Sequence, residues 1–150
     1  MTQGRLALTD GLKTEDPSAK CKSVGGVSEG AQRSEIERRL SESADGWNRR
    51  DLSAYMEVYA RGASTTYVSK GSVLHGYEAI KTKFAERLAG SDTGHLTFET
   101  LDFRLLGKDW ASLVGRYDIA LSSGDRQSGS TALLFQWSMG RWYLVVDHGV

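Results

Sequence analysis

Three helical periods lie before Gly94 in this sequence, and four strand-length runs follow it. Helices first and a meander afterwards define an α+β chain with its helices on one face of a sheet. The first period runs through Ile36, Leu40, Ala44 and Trp47, one apolar stripe on a helix. Ser34 and Glu37 have the spacing of a capping box, so the helix is expected to begin near Ser34. Asp51 is placed to cap a second, shorter helix, in which Leu52, Tyr55, Met56 and Tyr59 share a face before Gly62 ends it. Gly76 precedes a third helix carrying Ile80, Phe84 and Leu88, closed by Gly90. Between the second and third helices, 65–69 and 72–74 flank Lys70-Gly71 as a small hairpin.

The strand runs are expected at 96–106, 110–121, 130–138 and 141–148, joined by turns at 107–109, 122–129 and 139–140. Short connections make consecutive strands antiparallel neighbours. Leu133, Phe135 and Trp137 share one strand face, opposite Ala132 and Leu134. Trp142, Leu144 and Val146 likewise oppose Tyr143 and Val145. A sheet covered by helices on one face should be wet on the other. Apolar residues on both faces imply a cover for the second, and a homodimer through the outer sheet face is the expected partner arrangement.

Residues 1–30 hold the only proline, Pro17, together with Gly25-Gly26, and no aromatic residue precedes Trp47. Such a segment buries too little apolar surface to offset its ordering entropy, so it is expected to be a loosely attached tail before a domain at 31–150. Cys21 is the only cysteine and falls in that tail, so no internal disulfide is expected. Nineteen basic and nineteen acidic residues cancel, which removes any electrostatic drive toward nucleic acid or an anionic membrane. No window approaches the ~18 apolar residues of a membrane span. The first thirty residues lack the ~7–15-residue apolar core of a secretory signal, so a cytoplasmic location is expected. One cysteine and three scattered histidines do not make a zinc site, and no cofactor motif is present.

From about Ser34 to His148 the order of elements resembles the nuclear transport factor 2-like superfamily, closest to its SnoaL-like and kinase-association-domain-like branches. The resemblance rests on Trp47-Asn48-Arg49-Arg50-Asp51-Leu52, Tyr59-Ala60, Leu74-His75-Gly76-Tyr77-Glu78-Ala79-Ile80 and the closing stretch 140–148, Gly-Arg-Trp-Tyr-Leu-Val-Val-Asp-His. It implies a cone-shaped α+β barrel, three N-terminal helices packed on a strongly curved antiparallel sheet. Two departures stand out. The aspartate the family often carries after the second helix is replaced by Arg61-Gly62, and the small polar residues after its closing Asp-His by Gly149-Val150. The family includes enzymes, ligand binders and oligomerisation modules, so the fold alone selects no function.

Chemistry narrows the choice. A ketosteroid-isomerase-like site needs a carboxylate base, an oxyanion tyrosine and a neutral acid. Those roles align with Tyr67, Ser43 and Leu133, none of which can fill them. An epoxide-hydrolase-like site needs an Asp–Arg–Asp set, for which Asp102 and Arg104 with Asp118 or Asp147 are candidates. Against it, Leu101, Phe103 and Leu105 hold the opposite strand face, leaving Asp102 and Arg104 toward solvent. A dehydratase- or cyclase-like site needs an Asp or His acid/base among tyrosines. Asp147 and His148 are the candidate catalytic residues, and strand alternation lets only one face a pocket. Alignment turns Asp147 inward together with Tyr143 and Val145, and a one-residue slip would substitute His148. Trp47, Tyr55, Tyr59, Tyr67, Phe103, Tyr117 and Trp137 are the expected ligand-binding lining.

The remaining polar features read as surface. His75 and His95 adjoin turns, Gly124 and Gly129 have no phosphate-loop pattern around them, and Arg33, Arg38 and Arg39 alternate with Glu35, Glu37 and Glu42 as a solvated helix face. Two functions stay open. One is a pocket for a small, mostly apolar ligand, with hydrolase-, dehydratase- or cyclase-type chemistry. The other is a non-catalytic dimerisation or ligand-binding module.

Overall fold

The computed structural model describes residues 28–150. The expected tail, with Cys21, therefore lies outside the described residues except for its last three. Helix α1 spans Glu29–Asn48, five residues earlier than Ser34. Its cap is Ser28, whose Oγ accepts from the Ala31 amide at 3.1 Å. The first turn carries no apolar stripe because it docks through polar groups. Gln32 Oε1 accepts from Trp142 Nε1 at 2.6 Å, and Glu29 Oε1 accepts from the Leu105 amide at 3.4 Å. Ser34 and Glu37 lie inside the helix, where Glu37 pairs with Arg33.

Ile36 and Trp47 are buried as the stripe requires. So is Arg39, contrary to its reading as part of a solvated face. Its guanidinium donates to the backbone carbonyls of Trp142 (3.0 Å) and Glu57 (3.2 Å) and lies over the Tyr143 ring. Arg33 and Arg38 do stay exposed, paired with Glu37, and with Glu35 and Glu42. Helix α2 (Leu52–Met56) packs so closely on α1 that a methyl group on Gly46 would sit 2.6 Å from the Tyr55 amide nitrogen. Asp51 caps α2, accepting from the Ala54 amide at 3.1 Å. The helix ends at Met56 rather than near Gly62, because the chain there bonds to a strand instead of to itself. Leu144 donates to the Val58 carbonyl at 2.8 Å, and Ala60 donates to the Leu144 carbonyl at 2.9 Å. Helix α3 (Tyr77–Leu88) buries Ile80, Phe84 and Leu88 as their spacing predicts.

Six strands, β1 (Thr66–Ser69), β2 (Ser72–His75), β3 (His95–Leu105), β4 (Trp110–Ala120), β5 (Arg126–Ser138) and β6 (Arg141–Gly149), form one sheet in the order β2-β1-β6-β5-β4-β3. The fold is the expected α+β cone, with two differences. Its sheet is open, since β2 and β3 end it on opposite edges and do not close a barrel. It is also not wholly antiparallel. β1 runs parallel to β6, a pairing that requires the long intervening connection this chain has. Strand β5 begins at Arg126, four residues before the expected 130. Its polar first half shows no apolar alternation, yet it pairs in register with Arg116–Ala120.

Two bulges set which side chains face the helices. The β3–β4 register skips Leu101, which is left exposed, while Phe103 and Leu105 are buried. On β6, Leu144 pairs with Phe135 and Val146 with Leu134, so Val145 has no cross-strand partner. Trp142, Leu144 and Asp147 then share the inner face, and Val146 joins His148 outside. Asp147 faces inward as aligned, but not with Tyr143 and Val145.

Candidate functional site

A cavity of about 790 Å³ opens between the helices and the inner sheet face. Trp47 forms part of its wall, held by a hydrogen bond from Nε1 to the Thr93 carbonyl at 3.2 Å. Asn48 fixes the adjoining sheet edge. Its Nδ2 donates to the Leu96 carbonyl at 3.0 Å, and its Oδ1 accepts from the Leu96 amide at 2.7 Å. The Trp47-Asn48-x-x-Asp51 segment thus supplies a pocket wall, a clamp on β3 and a helix cap. Tyr55, Tyr59, Tyr67 and Phe84 complete an aromatic cluster, with Tyr55 4.9 Å and Tyr67 5.2 Å from Phe84 between ring centroids.

Asp147 is the only acidic side chain among the described residues lining the cavity. It pairs across the sheet with Tyr67 on one side and Leu133 on the other. The Tyr59 hydroxyl donates to its Oδ2 at 2.5 Å, and the Thr131 hydroxyl lies 3.0 Å from its Oδ1. No Lys or Arg among the described residues comes within 4.0 Å of it. Burial therefore pushes its carboxyl above the usual 3.8, opposed by the hydrogen bonds from Tyr59 and Thr131 and by the charge of His148. Burial also raises the Tyr59 phenol well above its ordinary value, reinforced by the Asp147 charge. Tyr55 and Tyr67 are raised for the same first reason.

The sequence-derived candidates separate cleanly. Trp47, Tyr55, Tyr59, Tyr67, Tyr117 and Asp147 line the cavity. Phe103 and Trp137 do not. Phe103 is buried beyond the β3 bulge, and Trp137 is partly exposed against Trp142 at 5.5 Å. His148 is exposed on the outer face. Asp102 and Arg104 pair with each other at 3.1 Å in solvent, and Asp118 pairs with Arg126 at 2.8 Å, so neither joins Asp147 in an Asp–Arg–Asp set. Tyr67, Ser43 and Leu133 all line the cavity, a phenol, a hydroxyl and an alkyl group where an isomerase would need its base, tyrosine and acid respectively. Sequence reasoning passed over Thr131, Lys83 and Arg87. Thr131 has the parity of Leu133, and Lys83 and Arg87 are four apart on the α3 edge beside Phe84.

Among the described residues no cluster of three or more His, Cys, Asp or Glu side chains is placed to hold a metal ion, and no helix is long and apolar enough to cross a membrane.

Among the described residues, three helices against an open, curved six-stranded sheet, with a cavity between them, define a cone-shaped α+β fold. A nuclear-transport-factor-2-like protein of unknown function from Shewanella oneidensis is 26% identical, with a TM-score of 0.74 over 78% of this chain and 97% of that one. A putative calcium/calmodulin-dependent protein kinase type II association domain from Thiobacillus denitrificans is 15% identical, with a TM-score of 0.64 over 75% of this chain and 91% of that one. The association domain of the C. elegans kinase is 19% identical, with a TM-score of 0.61 over 81% and 96%. The chain has the fold of the nuclear transport factor 2-like superfamily. No family model matches the sequence, and no curated protein matches it significantly.

Proposed function

We propose that this chain binds a small, mostly apolar molecule in the cavity and uses Asp147 as an acid/base group, in chemistry of hydrolase, dehydratase or cyclase type. The observation that carries the reading is an inward carboxylate, hydrogen-bonded by Tyr59 and Thr131 and with no Lys or Arg within 4.0 Å among the described residues. A raised carboxyl lies closer to neutrality, where a base serves best. Tyr55, Tyr67 and Tyr117 would orient the ligand through their phenols, and Trp47 and Phe84 would cover its apolar body. Isomerase chemistry is not part of the proposal, because Tyr67, Ser43 and Leu133 cannot supply its groups.

The test is a thermal-shift screen of the full chain against small carbonyl, epoxide and hydroxy compounds, followed by turnover assays on every hit. Ligands that bind the folded state raise its melting temperature by mass action. Hits that weaken in Asp147→Asn support the proposal. A broad library without hits removes it.

A second reading is favoured by the outer sheet face. Val68, His148, Ala132 and Val114 are successive cross-strand partners there, beside Leu134 and Val146, and the association-domain similarities point the same way. In this reading the chain forms a homodimer through that face. Ala132→Glu would then convert a dimer to a monomer in sedimentation analysis, and an unchanged sedimentation coefficient would count against it.

A further inference from the structure

The cavity is divided along its depth. Its inner wall is buried and apolar or aromatic, formed by Trp47, Val58, Tyr59, Phe84, Leu133 and Leu144. Its outer rim is polar and carries four cations, Lys70, Lys83, Arg87 and Arg126. Arg126 is occupied by Asp118 through both Nε and Nη2. The other three have no carboxylate within 4.0 Å among the described residues.

Two of the three are held by aromatic rings of the cavity. Lys83 Nζ lies 5.8 Å from the Tyr67 ring centroid, and the Arg87 guanidinium lies 5.2 Å from that of Trp47. Arg87 also donates to Gln127 at 3.4 Å, which ties α3 to β5 across the opening. The chain as a whole is neutral, so this is a local concentration of positive charge. Cations at the edge of a low-dielectric cleft focus their field into it and draw in anions.

We infer that the cavity admits an amphipathic carboxylate, its anionic head at Lys83 and Arg87 and its apolar body on the aromatic wall. The inference rests on the ligand-site reading above and names its ligand class. A planar guanidinium and an ammonium on neighbouring turns of α3 can grip two carboxylate oxygens by charge-assisted hydrogen bonds. With its head at Lys83 and Arg87, the ligand lays its apolar body along the Tyr67, Trp47 and Phe84 rings.

The test uses 4-phenylbutanoate, its methyl ester and 4-phenylbutylamine, with 2-naphthylacetate and its methyl ester as a wider pair. Affinities are measured by calorimetry on the full chain and on the Lys83→Met/Arg87→Met double variant. The acids should bind about tenfold or more tightly than their esters, the scale of one charge-assisted hydrogen bond. The amine should bind most weakly. The preference for acid over ester should vanish in the double variant, and Arg87→Lys should keep part of it. Equal binding of acid and ester to the parent overturns the inference and leaves the ligand site standing. So does a preference that survives in the double variant. Binding of neutral screen hits with none of these acids also overturns it, whereas no binding by any compound removes the ligand site as well.

Discussion

The Tyr59 hydroxyl donates to Asp147 Oδ2 across 2.5 Å, joining residues 88 apart in the chain. Tyr59 sits there because the backbone around it leaves the helical path after Met56 and bonds to Leu144 on β6. The Val145 bulge then brings Asp147 to the same face. One departure from helical regularity and one from strand regularity together create the pair.

Replacing Tyr59 by Phe removes this hydrogen bond and keeps the ring. A hydrogen bond to a charged group contributes about 1.5–3 kcal/mol, so a loss at the lower end of that range is expected. Because the bond favours the ionised carboxylate, its loss should move the Asp147 carboxyl further up. Urea unfolding checks the first effect and carbon-detected NMR titration the second.

Asp147→Asn should stabilise the protein at neutral pH by about 1 kcal/mol, because it removes a carboxylate whose charge burial disfavours. The sign follows from proton linkage. A carboxyl raised by folding binds its proton more tightly in the folded state. The stability it contributes is full below the ordinary 3.8 and is lost as pH rises through the raised value. The advantage of the Asn variant should therefore shrink on acidification. Paired melts at neutral and mildly acidic pH show whether it does.

Asn48→Ala should cost about 1–3 kcal/mol, because the Leu96 amide and carbonyl lose their partner together. Faster hydrogen exchange at the Leu96 amide would locate the damage at the start of β3.

Gly115→Ala should destabilise by about 1–3 kcal/mol, the range for overpacking. The Phe98 ring lies across this position. A methyl group there would sit 2.2 Å from Phe98 Cζ and 2.8 Å from the Glu99 carbonyl, and the backbone atom cannot move aside. Thermal unfolding measures the cost, and Phe98→Ala in the same chain should relieve part of it.

The legible parts of the fold were those with apolar periods. Ile80, Phe84 and Leu88 marked α3, and Asp51 marked the start of α2. The first turn of α1 and the first half of β5 were missed because Gln32, Glu29 and Arg126–Ser130 dock through hydrogen bonds and register, which leave no apolar trace. Bulges at Leu101 and Val145 shift side-chain parity without any residue type that announces them. That is why strand alternation groups Asp147 with Tyr143 and Val145, and Leu101 with Phe103. In the site, tyrosines and Asp147 stood out by type. The placement of Phe103 and Trp137 away from the cavity depends on where along each strand the helices cover the sheet, which alternation does not encode. Lys83 and Arg87 carry no signal of their own in the sequence, because what brings them to the cavity is the Tyr67 and Trp47 rings beneath them in the folded chain.

The most direct test of Asp147 as the working group of a ligand site is an NMR titration of its side-chain carboxyl carbon, free and with the most stabilising compound from the screen. The account predicts a midpoint above the ordinary 3.8 in the free protein and a further displacement when the cavity is filled. A midpoint at or below the ordinary value, unmoved by a compound that binds, would contradict it.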